Sequence, residues 1–216
     1  MPRAGFITGL RSEADGLTPF VDWSLIRVAG MRPQAAEDGA RELVAQGCDV
    51  LVSFGLAAGL TAGMKTGGIV IATCVIAPDG MAYATTAVPG IAGARSVPLA
   101  GSDRVVATTR DKIALNQRTG ACALDMESHR VARVAYERAV RCVVVRVIAD
   151  PQESAIPRAA FDAVDAQGRP RPGLVIGALA RRPWEIFGIV SLAAQSRAAH
   201  RKLRDVAPLL LAALGG

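Results

Sequence analysis

Short apolar runs alternate with stretches of helical spacing along this chain, the pattern of an α/β fold. Residues 4–10 (AGFITGL) read as a first strand and residues 24–29 as a second. Pro33 opens a helix that runs through Gln46, with proline in its first turn and Gly47 as its stop. Residues 49–54 (DVLVSF) form a buried strand that ends in the small-residue turn GLAAGL, and residues 69–77 form another between Gly67-Gly68 and Pro78-Asp79-Gly80. A Gly/Pro-rich passage follows. Residues 104–109 and 121–124 then read as strands on either side of a short helix.

The clearest helix spans residues 126–138, where Val131, Val134 and Ala135 share one face and the charged residues fall elsewhere. It leads into the most apolar strand, residues 142–149 (CVVVRVIA), which stops at Asp150-Pro151. Beyond it, residues 165–172 (DAQGRPRP) read as an exposed loop, followed by two helices broken at Pro183. The expected architecture is a single domain with a mixed, largely parallel central sheet flanked by helices. Residues 1–154 make its core, and residues 155–216 make a basic, apolar, helical C-terminal segment packed on the same domain.

Length agrees with one domain, since 216 residues fill one core well. Charge divides the chain. Of the net +6, five come from residue 155 onward, where nine Arg and Lys face four Asp and Glu. The motifs of nucleic-acid binding are missing from that segment, which has no zinc-finger spacing and no aromatic RNP-type strand. A basic apolar helix suits a membrane surface or a partner groove at least as well, and a solvated basic face on a packed helix is the ordinary alternative. No apolar run reaches the ~18 residues of a spanning helix. Cys48, Cys74, Cys122 and Cys142 are widely spaced and pair into no CxxC, so reduced thiols and a cytoplasmic setting are expected, with no metal site.

Two acids stand where an α/β sheet places its ligand crevice, beyond the carboxyl ends of strands. Glu127 follows a buried strand at the start of a helix (ALDMESHRVA), and Asp150 ends the next strand (VVVRVIADP). Each alone has an ordinary explanation, a helix-dipole acid for the first and a turn before proline for the second.

The ordered set GFITGLRSEADGL, VSFGLAAGL, MKTGGIVIA, LDMESHRVA and VVRVIADP resembles the purine nucleoside phosphorylase/nucleosidase superfamily. It is most similar to the hopanoid-associated branch, whose proposed role is removing adenine from adenosylhopane. The resemblance covers residues 4–150 and, less distinctly, the tail. It implies a nucleoside phosphorylase-like fold, a small nucleoside substrate that is lipid-linked in that branch, and a homo-oligomer. It implies no cofactor or metal, with phosphate a candidate co-substrate. Carried over residue by residue, Asp150 matches the acid that assists departure of the base at purine N7. Glu127 matches the carboxylate that holds the ribose hydroxyls, and Met126 the residue that lies against the sugar. Glu13 matches the acid that activates water in the nucleosidase branch. Gly55 and Leu56 fall in the turn that contacts ribose or the anionic nucleophile.

This chain departs from the pattern at two places. Leu56 stands where many members have a serine, which removes a hydroxyl expected beside phosphate. The passage 83–99 is also short. Phosphorolysis and hydrolysis of an adenosine-type nucleoside therefore both remain open. So does a weakly catalytic nucleoside- or lipid-binding protein of the same fold, and so does an interaction module built on the basic tail. Serine-hydrolase and zinc-protease chemistry lack their GxSxG and HExxH motifs, and GLAAGLTAG does not match the GxGxxG of nicotinamide binding.

Overall fold

The computed structural model describes residues 2–155 and 186–215. In chain order it holds β1 (Ala4–Thr8), α1 (Arg11–Ala14), a 3-10 turn (Trp23–Leu25), β2 (Ile26–Val28), α2 (Pro33–Ala45), β3 (Val50–Gly59), β4 (Ile69–Ile76) and β5 (Ala82–Ala84). Then come β6 (Ala94–Gly101), α3 (Thr109–Thr119), β7 (Ala123–Asp125), α4 (Ser128–Arg138), β8 (Arg141–Asp150) and a long helix, α5 (Ile186–Gly215).

The sheet is mixed. Parallel pairs join β1 to β2 and β3, β3 to β8, β4 to β6 and β6 to β7. Antiparallel pairs join β3 to β7 and β4 to β5 and β8. Followed from strand to strand, β3, β8, β4, β6, β7 and β3 again form a closed ring. Closure satisfies strand edges that would otherwise be exposed, and it brings the ends of β3, β7 and β8 together.

Alternation along the strands sorts side chains into two cores. Ile7, Leu51 and Val144 face α2 and α4, meeting Ala36, Ala40, Leu43, Val131, Val134 and Ala135. Phe6, Val50, Val52, Phe54, Val143, Val145 and Val147 face the other way, toward α5. Helix α5 buries Ala199, Leu203, Val206, Ala207 and Leu210, a stripe at helical spacing, while Arg197, Arg201 and Arg204 stay exposed. Much of the apolar content of its second half is thus used in packing on the sheet. Among the described residues no helix is long and apolar enough to cross a membrane.

Several expectations shift. Strand β3 does not end at Phe54 but continues through the small residues to Gly59, with an irregularity at Ala57/Ala58 where it passes from β8 to β7. Residues 104–109 form no strand. They line a wall and then enter α3, whose N-cap Thr108 accepts a hydrogen bond from the Asp111 amide. The Gly/Pro-rich passage after Tyr83 leads into β6. Of residues 24–29 only Ile26–Val28 are extended. The loop at 165–172 and the helix before Pro183 lie outside the described residues. The break at Ala45 fits expectation, with Gly47 at φ +86°.

Candidate active site

A cavity of about 190 Å³ opens where β1, β3, β7 and β8 end. Glu13, Leu56, Met126, Glu127 and Asp150 line it together with Gly9, Leu10, Met31, Asp125 and the stretch from Arg104 to Val106. Residues widely separated in sequence are thus gathered at one place. Gly55 lies just behind, outside the lining.

Two glycines make room for two carboxylates. A Cβ on Gly55 would sit 2.8 Å from both oxygens of Glu13, and a Cβ on Gly9 would sit 2.9 Å from Glu127 Oε1. Any larger residue at either position would displace the acid. Glu13, in α1, accepts hydrogen bonds from the backbone amides of Leu10 and Leu56, each at 2.8 Å. Burial nevertheless raises its pKa above the ordinary carboxylate range, against the opposing pull of Arg146 and the two amides.

Glu127 caps α4 in a helical backbone conformation (φ −116°, ψ −37°) without using its side chain as a cap. Its pKa is pushed up to about 8, first by burial and then by the charges of Asp125 and Glu13, with Arg146 pulling the other way. This charge crowding predicts a trade of stability for function. A carboxyl whose folded pKa exceeds its unfolded value loses stability as pH rises from the unfolded pKa toward the folded one. Glu127→Gln is therefore expected to raise Tm by a few degrees at pH 8, roughly 2–4 °C per kcal/mol for a chain of this size. Thermal unfolding from pH 5 to 8 should show the gain shrink toward the acid end. A gain that grows there would contradict the assignment.

Asp150 ends β8. One of its oxygens, Oδ2, is 2.7 Å from Lys112 Nζ, whereas Oδ1 is buried without a partner among the described residues. Lys112 is fully buried in α3 and spends its other two donors on the Pro151 and Ser154 carbonyls, both at 2.8 Å. The Asp150 pKa is raised by burial, while Lys112 works against that rise. A fixed carboxyl with one oxygen tied down and one free is suited to hold a ligand N–H or share its proton.

Sequence reading missed the framework beneath these acids. Arg146 projects from β8 into the side of the sheet that α4 covers and is almost wholly buried. It pairs with Asp125 and donates to Ser53 Oγ at 2.6 Å and Ser128 Oγ at 3.0 Å. Ser128 in turn donates its hydroxyl to Asp125 and its amide to Asp125 Oδ1 at 3.1 Å. A lone arginine inside CVVVRVIA was the available signal, because a charge in a buried strand requires a buried partner. Lys112 carried no such signal, lying in a polar helix.

Glu13, Glu127 and Asp125 all act on one buried guanidinium, and a ligand that becomes cationic as it reacts would favour the charged forms of the two acids that burial disfavours. Among the described residues no cluster of His, Cys, Asp and Glu has the form of a metal site.

The Phosphorylase superfamily profile matches residues 90–181, a stretch that includes Glu127 and Asp150 but is less than half of the chain. No curated protein matches significantly. Among solved structures, futalosine hydrolase of Helicobacter pylori superposes with a TM-score of 0.73 at 13% identity, covering 98% of this chain and 97% of that one. The 5′-methylthioadenosine/S-adenosylhomocysteine nucleosidase of the same organism gives a TM-score of 0.73 at 14% identity, covering 99% and 98%. The corresponding nucleosidase of Neisseria meningitidis, in complex with methylthio-immucillin-A, gives 0.72 at 13%, covering 98% and 100%. At such identities the likeness establishes the fold. It is the nucleoside phosphorylase/nucleosidase fold, kept over nearly the whole length of each chain.

Proposed function

We propose that this protein cleaves the N-glycosidic bond of a purine nucleoside and that its nucleophile is water. One observation carries the choice of nucleophile. The amides of Leu10 and Leu56, donors suited to an anion at the mouth of β1 and β3, are both taken by the carboxylate of Glu13. A phosphate placed there would meet Glu13 and Glu127 rather than free N–H groups, and Leu56 adds no hydroxyl. The same carboxylate can accept a proton from water, and its raised pKa makes it a stronger base once ionised.

As the bond from the sugar anomeric carbon to the base breaks, its electron pair leaves with the base. Positive charge grows on the ribose, where Glu127 and Glu13 oppose it. Asp150 Oδ1 shares a proton with the departing base, for which the resemblance suggests N7. Water adds to the anomeric carbon and gives its proton to Glu13. Glu127 also fixes the ribose hydroxyls, a contact that strengthens as the sugar becomes cationic. The lining from Leu10, Met31, Leu56, Val105 and Met126 is apolar and supports an adenosine-type substrate with an apolar 5′ group. The adenine–hopanoid conjugate has this form, and so does the methylthioadenosine named for two of the structural neighbours.

Base release from adenosine and methylthioadenosine by the wild type and by Glu13→Gln tests this reading. The variant is expected to lose roughly 10²–10⁴-fold in rate, the scale of general-base catalysis. Equal rates, or no base release by the wild type, would refute it. The latter result would favour a binding protein of the same fold.

A further inference from the structure

The cavity wall formed by Arg104, Val105 and Val106 belongs to neither strand nor helix, and among the described residues no ladder of backbone bonds holds it. It hangs between the end of β6 and the start of α3. A turn closed by Ser102 shapes it, with the hydroxyl donating to the Arg104 carbonyl at 2.6 Å and accepting from the Arg104 amide at 3.1 Å. The Ser102 amide ties the base of that turn to the Asp125 carbonyl at 2.9 Å, and beyond it the side chain of Asp103 fastens the turn to α4. Arg130 Nη2 donates to both of its oxygens, at 3.0 and 3.1 Å, and His129 Nε2 lies 3.0 Å from Oδ1.

Both partners are themselves fixed. His129 is buried against β6, where a Cβ on Gly101 would fall 2.3 Å from the histidine Cβ, so the ring's place depends on that glycine. Arg130 Nη1 donates to Glu37 of α2 at 3.2 Å. The two residues stand just beyond Ser128, in the first turn of the helix that Glu127 caps. The wall on one side of the cavity and the carboxylate on the other are therefore referred to one short, rigid helix start.

We propose that Asp103, His129 and Arg130 form a clamp that positions the Arg104–Val106 wall over the nucleoside, with Asp103 a positioning residue for substrate binding. This rests on the reading of the cavity as a nucleoside site. Arg104 is also the one cationic side chain in the described lining, so the clamp decides where positive charge stands at a mouth otherwise surrounded by acids. A single exposed ion pair would count for little. Here a two-oxygen contact to an anchored arginine and a buried ring act on a segment with few other restraints.

Asp103→Ala and Arg130→Ala test the clamp by steady-state base release and by amide exchange over residues 102–108. Each variant is expected to raise KM by roughly tenfold, with kcat within about threefold and faster exchange in the wall, because binding rather than chemistry is lost. The double variant should be no worse than the worse single one, as for residues acting on one contact. Asp103→Glu should recover part of the loss. KM within twofold of wild type in both single variants, with unchanged exchange, would overturn the clamp while leaving the nucleoside reading intact. No turnover by the wild type would overturn that reading and the clamp with it.

Discussion

Asp150→Asn is expected to fold like the wild type and to release base roughly 10²–10⁴ times more slowly, the usual contribution of a positioned acid. The geometry separates the two effects. The amide oxygen of asparagine can still accept from Lys112, which keeps the partner that Oδ2 now provides. Neutralising Asp150 leaves the buried Lys112 ammonium with carbonyl oxygens alone, so the variant is expected to be less stable yet folded, and rates are compared on folded protein. What disappears is the ability of the free oxygen, Oδ1, to exchange a proton with the leaving base. Near-normal turnover in Asp150→Asn would remove Asp150 from the chemistry, whatever its place in the cavity.

The second large effect concerns stability. Arg146→Met should lower the unfolding free energy by about 3–5 kcal/mol, because it strips the counter-charge from a buried acid cluster. Asp125 would lose its ion-pair partner, Ser53 and Ser128 would each lose a donor, and Glu127 and Glu13 would face Asp125 without compensation. For a protein of this length the loss corresponds to a Tm lower by roughly 6–20 °C. Thermal unfolding checks it, and a change under about 1 kcal/mol would show that Arg146 does not hold the cluster together. Arg146 thus supports the fold and the acids of the site together.

The fold was most legible where period and punctuation agreed. The helix at Pro33 began at its proline and stopped at its glycine, and β4 and β8 lay within a residue of their expected ends, because runs such as IVIAT and CVVVRVIA bury on both faces. Reading failed where tertiary pairing overrides local preference. Leu56 to Gly59 have weak strand propensity and resemble a turn, yet pairing with β8 and then β7 keeps them extended. RVVATT has the β-branched composition of a strand, but the Asp103 clamp and the Thr108 cap direct it into a wall and a helix.

The site divides in the same way. Glu127 and Asp150 could be picked out because they follow strand ends, and the structure places both in one cavity. Glu13 was indicated only by resemblance, since nothing in RSEAD shows that its carboxylate reaches the amide of Leu56, 43 residues away. Lys112 and Asp103 act through contacts across comparable or moderate separations, which no local pattern encodes. Gly9 and Gly55 matter through space they leave empty. Their role becomes visible only when the carboxylates beside them are seen.

The most direct test of the central claim is the identity of the sugar product. Purified protein is incubated with adenosine or methylthioadenosine in the presence and absence of phosphate, and the products are resolved by mass spectrometry and NMR. Adenine and a free sugar are expected in both conditions, at rates that phosphate does not raise. A sugar 1-phosphate as sole product, formed only when phosphate is present, would contradict it.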